Sequence, residues 1–179
     1  RSFTPSMSAM LQHLGATPVT LSFSEVYSAL GNGVVDCGVT SANSGNSGKW
    51  PEVTKYFYPL AVAGSVQGHF VALAFWEKLS PDQQARIEAE FKKMEDQMWA
   101  LAEEGTADSI ACNTGQACKN GTPFSMTLVP VSDADEARVN AASAATVLPM
   151  WKEVCNKVLP TCSATWNDTA GKVRGMTIN

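Results

Sequence analysis

Between residues 40 and 46 the chain sets Thr40, Ser41, Asn43, Ser44 and Asn46 around Ala42 and Gly45, directly after the apolar run of residues 34–39. Short hydroxyl and amide side chains can hydrogen-bond a carboxylate or hydroxyl of a small ligand, and glycine lets the backbone approach it closely. The same composition also builds ordinary turns. A strand over residues 34–39 would favour the ligand-lining alternative, because open α/β sheets hold ligands beyond the carboxyl ends of their strands. Trp50 follows closely enough to wall such a cleft, whereas Trp76, Trp99, Trp151 and Trp166 sit at helical spacings that suit packing.

Catalytic chemistry is poorly supplied. The two histidines, His13 and His69, lie in unrelated segments, and no nucleophile elbow, P-loop, dinucleotide fingerprint or H-E-x-x-H motif occurs. Cys37 with His69 and an asparagine would be the components of a cysteine hydrolase, but nothing in the local sequence supports that arrangement. The expectation is a non-enzyme without cofactor. Of the five cysteines, Cys112 with Cys118 and Cys155 with Cys162 bracket short turn-rich loops, which reads as two local disulfides and an oxidising compartment. A zinc site would need closer cysteine spacing or neighbouring histidines, so no metal is expected. Cys37 remains, and its place in an apolar run predicts a buried, inert thiol.

The 179 residues suffice for a sizeable core, and 45% hydrophobic with 17% charged residues describes an ordinary globular chain. A net charge of −4, with basic residues scattered singly, argues against a nucleic-acid partner. No apolar run reaches the ~20 residues of a membrane helix.

The elements that would position the polar loop alternate in type. A helix is expected over residues 6–14 and a strand over 18–21. Ser22 and Glu25 form a capping box for a helix with Val26, Ala29 and Leu30 on its apolar face, stopped by Gly31-Asn32-Gly33. The strand at 34–39 and a short helix at 49–57 come next, and the apolar stretch 58–74 is too long for one strand. Ser80-Pro81-Asp82-Gln83 caps a long helix to about residue 112, with Ile87, Phe91, Met94, Met98 and Leu101 at helical spacing. A strand at 126–131, a helix from 132 towards Trp151 bent at Pro149, and a last helix at 164–173 complete an α/β pattern.

The wording of residues 21–56, with F-S-E-V-Y-x-A-L, then G-V-V-D, then E-V-T-K-Y, resembles the solute receptors of tripartite ATP-independent periplasmic (TRAP) transporters. Gly15-Ala16-Thr17-Pro18 before this unit, and Phe75-Trp76-Glu77-Lys78-Leu79-Ser80-Pro81 after it, fall in the same order as in those receptors. The resemblance implies a periplasmic-binding-protein-like α/β fold. Residues 1–65 would be the second ligand-binding lobe, 66–105 the crossing strand and long helix, and 106–179 the return to that lobe with C-terminal helices. The first lobe and the signal peptide would be largely missing. It further implies a periplasmic receptor, not itself membrane-embedded, that captures an organic acid anion and delivers it to membrane permease subunits driven by ion gradients.

Residue roles also follow from the resemblance. Arg1, with Pro5 nearby, stands where the family clamps a ligand carboxylate from a K-x-R-x-P-like context, the alternative being a frayed terminal arginine in solvent. Phe23 either stacks on the ligand or merely starts a core helix. Many members carry D-G-x-E-N-P where this chain has Asp36-Cys37-Gly38-Val39-Thr40-Ser41, so Thr40 replaces an asparagine that often contacts ligand. The ligand-binding set is therefore Arg1, Phe23, Thr40, Ser41, Asn43 and Trp50. The long helix is expected to expose an apolar stripe through Phe91, Met94 and Met98. A competing reading is a truncated, ligand-free structural or interaction module that self-associates through exposed apolar surface.

Overall fold

The computed structural model describes residues 1–64 and 68–178. Helices dominate. They are α1 (Pro5–His13), α2 (Phe23–Gly31), α3 (Ala42–Ser47), α4 (Leu73–Trp76), α5 (Pro81–Asn113), α6 (Asp133–Ala142), α7 (Leu148–Val158), α8 (Cys162–Asp168) and α9 (Ala170–Arg174). One two-stranded parallel sheet pairs β1 (Tyr56–Phe57) with β2 (Thr127–Leu128), in the register Tyr56 to Thr127 and Phe57 to Leu128. Parallel strands need a crossover, and α5 lies within it.

Local sequence explains the helix starts. Thr4 caps α1 by accepting from the Met7 N–H at 3.2 Å, with Pro5 in the first turn. Both expected boxes form. Glu25 accepts from the Ser22 N–H at 3.0 Å, and Gln83 Oε1 accepts from the Ser80 N–H at 2.9 Å. The expected helix at 49–57 shrinks to one 3₁₀ turn, Trp50–Glu52, because Lys49 enters it in a left-handed conformation at φ 58°.

The strand expected at 34–39 is absent. Gly33 turns the chain at φ 69°, after which the N–H groups of Val34 and Val35 both point back to the Ala29 carbonyl at 2.8 and 3.4 Å. Those donors complete the end of α2 and are not offered to a ladder. Only Val35 of the pair is buried. Residues 18–21 contribute a single parallel bridge, Ser2 to Thr20, and the strand at 126–131 is reduced to β2. The stretch 58–74 forms no strand among its described residues, and its residues 65–67 lie outside them.

The helix expected to bend at Pro149 changes earlier. Residues Ser143–Val147 form a π-helical turn between α6 and α7, and Pro149 then occupies the first turn of α7. Widening the turn there accommodates a residue that has no N–H and would crowd the carbonyl four positions back. The last helix starts at Cys162 and divides at Thr169, where φ and ψ are −120° and −104°.

Among the described residues two apolar clusters hold the chain. Val26, Ala29, Leu30, Val35 and Trp50 pack with Val19, Leu21 and Val53 around α2. Met10, Val139 and Ala142 join α1 to α6, with Leu14, Leu60, Val62 and Val147 at the margin. Full burial of one such side chain contributes about 1.5–3 kcal/mol. By contrast α5 keeps only Ser109, Cys112 and Asn113 buried, all in its last turns. Phe91 and Met98 are exposed, as the expected stripe requires, while Met94 is half-buried; Trp99, expected to pack, is 70% exposed instead.

Candidate functional site

Arg1 is tied into the protein. Its Nε donates to the Leu21 carbonyl and its Nη1 to the Val39 carbonyl, each at 3.1 Å, and its main-chain nitrogen donates to the Cys37 carbonyl at 2.6 Å. The guanidinium carbon stands 5.3 Å from the centroid of the Phe3 ring. These bonds use two of the five guanidinium donors. Partial burial lowers the guanidinium pKa from its ordinary value. Arg1 therefore sits against the residue just before Thr40.

Thr40 is half-buried, with its methyl towards Gly45, and Asn43 is exposed. Ser41 caps α3, its Oγ accepting from the Ser44 N–H at 3.1 Å and donating to Ser44 Oγ at 2.9 Å. Phe23, 42% exposed, stacks on Trp50 with centroids 5.3 Å apart. Trp50 itself is 5% exposed, so it lies beneath Phe23 as a floor and presents no open wall. Two glycines make that possible. A Cβ on Gly38 would lie 2.6 Å from Trp50 Cζ3, and one on Gly48 would lie 2.9 Å from Phe23 Cζ and 3.0 Å from Trp50 Nε1.

Asn46, offered above as a ligand donor, is turned inward. Its Nδ2 donates to Asn113 Oδ1 and to the Thr122 carbonyl, both at 2.8 Å, and its Oδ1 accepts from the Thr122 N–H at 3.0 Å. Both donor protons are spent inside the protein. Asn113 Nδ2 in turn donates to the Ala42 carbonyl at 3.0 Å. Nothing in local spacing singled out Asn113, because its partners stand 67 and 71 positions away.

The cysteine pairs form as expected, Cys112 with Cys118 and Cys155 with Cys162, at Cα separations of 5.2 and 5.9 Å. Cys37 is free but exposed, which corrects the expectation of a buried thiol. The cause is the missing strand, since without a pleat only Val35 is directed to the core. Among the described residues no three His, Cys, Asp or Glu side chains converge to hold a metal, and no helix is long and apolar enough to cross a membrane. A separate groove of about 540 Å³ runs along α5 between Leu79, Gln83, Ile87, Phe91 and Met94, on other elements than the polar loop.

What the arrangement offers is a cation seated on the Leu21 and Val39 carbonyls, an aromatic ring at the start of α2 and short polar side chains at residues 40–43. No curated protein sequence matches the chain. The model of one protein family, described as bacterial extracellular solute-binding protein, family 7 (DctP), matches residues 2–153. That span includes Phe23, the polar loop, β1, α5 and most of α7, and the chain belongs to this family of TRAP-transporter solute-binding proteins, which are not enzymes.

Proposed function

We propose that the protein binds an organic acid anion in the periplasm and delivers it to the permease subunits of a TRAP transporter, with Arg1, Phe23, Thr40, Ser41 and Asn43 around the ligand. The observation that carries this reading is the fixing of Arg1 by the Leu21 and Val39 carbonyls. A guanidinium seated on two protein carbonyls has already given up its rotamer freedom, so less side-chain entropy is lost when a carboxylate docks on the N–H groups that remain. Thr40 and Asn43 supply hydrogen bonds to a second polar group of the ligand, Ser41 shapes the loop as its cap, and Phe23 covers the apolar part. Trp50 supports Phe23 from below.

In this proposal residues 1–65 form one ligand-binding lobe, 66–105 the crossing segment and long helix, and 106–179 the return with its terminal helices, in a periplasmic-binding-protein-like arrangement. Calorimetric titration of the full-length protein with succinate and with pyruvate tests the reading. Binding that is lost in Arg1→Ala supports it, and absence of heat with either acid and with longer dicarboxylates sinks it.

Self-association is the second reading, carried by the exposed stripe on α5. Ile87, Phe91, Met94, Met98 and Leu101 recur at alternating intervals of four and three residues, which is the spacing of a helix-pairing seam. Its flanks weigh against a second copy, because Glu88, Glu90, Glu95 and Glu104 border the seam on both sides. A monomer in light scattering at micromolar concentration favours the receptor, and a ligand-indifferent dimer favours the module.

A further inference from the structure

We propose that Asn46 and Asn113 form a positioning joint through which the end of the long helix sets the ligand loop, a proposal that rests on the solute-binding reading above. Asn46 lies in α3 and is 4% exposed, and Asn113 is the last residue of α5 and is 2% exposed. The two amides are paired reciprocally with distant backbone. Asn113 grips the Ala42 carbonyl at the start of α3, directly after Ser41, and Asn46 near the end of α3 grips Asn113 and the backbone N–H and carbonyl of Thr122. The six-residue α3 is thus held at both ends by elements outside it.

The strap that carries Thr122 is itself fastened. The Cys112–Cys118 disulfide closes its base on α5, and the Asp108 carboxylate accepts from the N–H groups of Lys119 and Asn120 at 2.7 and 2.9 Å. Gly121 brings the strap close, since a Cβ there would lie 2.9 Å from Cys112 Sγ and 3.0 Å from Asn46 Oδ1. Displacing α3, and with it Ser41 and Asn43, relative to α5 opens these bonds, of which the one between the two amides is fully buried. Both residues are neutral, so the joint holds at any physiological pH.

The test replaces Asn113 by a group that keeps the joint in one protonation state only. In Asn113→Asp the protonated acid donates to the Ala42 carbonyl and accepts from Asn46, as the amide does, while the ionised form sets a negative oxygen against that carbonyl. Burial raises the carboxyl's pKa while the Asn46 N–H that donates to it favours the ionised form; Asp108 on α5 and Lys119 on the strap are the charged residues nearest in sequence, and α3 carries none. Hydrogen exchange on the full-length protein, corrected for the intrinsic pH effect, is read over residues 40–49 with α2 as the control. In Asn113→Asp, exchange at residues 40–49 should match the parent at pH 5 and be roughly tenfold faster at pH 8, with α2 unchanged. Gly121→Ala should accelerate residues 40–49 at both pH values. Succinate and pyruvate affinities of Asn113→Asp, relative to the parent, should fall about tenfold between pH 5 and 8. Parent-like exchange in both variants, or equal acceleration of α2 and α3 at both pH values, overturns the joint. If the parent binds neither acid while the exchange pattern appears, the carboxylate reading fails and the joint stands.

Discussion

Asn46 Nδ2 lies 2.8 Å from Asn113 Oδ1, a bond between two buried amides 67 residues apart in the chain. Its weight is best judged against the ion pairs of the same long helix. Lys92 with Glu95 and Asp96, and Lys93 with Glu90, make good distances, but their side chains are more than half exposed. Exposed pairs contribute about 0–1 kcal/mol each, whereas a buried polar group that loses its partner costs about 1–3 kcal/mol. The amide pair therefore outweighs the exposed ion pairs of α5.

Asn46→Ala should destabilise the protein by about 2–4 kcal/mol, because it strands Asn113 Oδ1 and the backbone N–H and carbonyl of Thr122 at once. Lys92→Ala should cost under about 1 kcal/mol. Urea unfolding of the two variants gives the comparison, and equal midpoints would refute it.

Gly38→Ala should cost about 1–3 kcal/mol by driving a methyl into the Trp50 ring, or displace Trp50 and with it Phe23. The near-ultraviolet circular dichroism of the stacked rings is the direct readout. An unchanged spectrum with unchanged stability would show that the ring has room.

Non-reducing peptide mapping should recover Cys112 joined to Cys118 and Cys155 joined to Cys162, with Cys37 alkylated by iodoacetamide in the folded protein. Loops this short confine the unfolded chain by about 2–2.5 kcal/mol each in the chain-entropy account, so reductant should lower the urea midpoint clearly. Cys37 recovered in a disulfide would contradict the pairing.

In the full-length protein Arg1→Lys should weaken anion binding by about 1–3 kcal/mol, since a point charge cannot reproduce the planar fork or its seating on the Leu21 and Val39 carbonyls. Calorimetry decides, and unchanged affinity would remove Arg1 from the site.

Acid should fray two helix starts. Hydrogen bonds from Ser22 hold the Glu25 carboxyl below its ordinary pKa, and those from Ser132 and then Tyr58 do the same for Asp135. A folded-state pKa below the unfolded one gives a contribution present above about pH 4 and lost as the pH falls through the folded value. Carboxyl carbon shifts followed from pH 6 to 2 should place both midpoints below those of model peptides. Midpoints at the model values would show that the caps are not held in solution.

What could be read beforehand was what is local. The capping boxes at Ser22 and Ser80, the full run of α5 and the pairing of close cysteines all depend on residues within a few positions of each other. The apolar run at 34–39 misled because a short run of Val residues suits a buried strand as well as a connection. Its backbone donors were claimed by the end of α2, and the exposure of Cys37 followed from that single choice. Trp50 read as a cleft wall because sequence shows its position but not Phe23 lying over it. Asn46 read as a ligand donor for a related reason. A short polar residue in a loop has the same appearance whether its amide faces solvent or an asparagine at the far end of a helix.

The unequal burial of α5 has a mechanical meaning. At about 1.5 Å per residue its 33 residues extend roughly 50 Å, yet the buried residues are confined to the last five positions, Ser109 to Asn113. Within this chain the helix is fastened at its C-terminal end, and a tilt of about 5° at Asn113 corresponds to about 4 Å at Pro81, so the seating of Asn113 sets where the far end of α5 meets whatever packs against it.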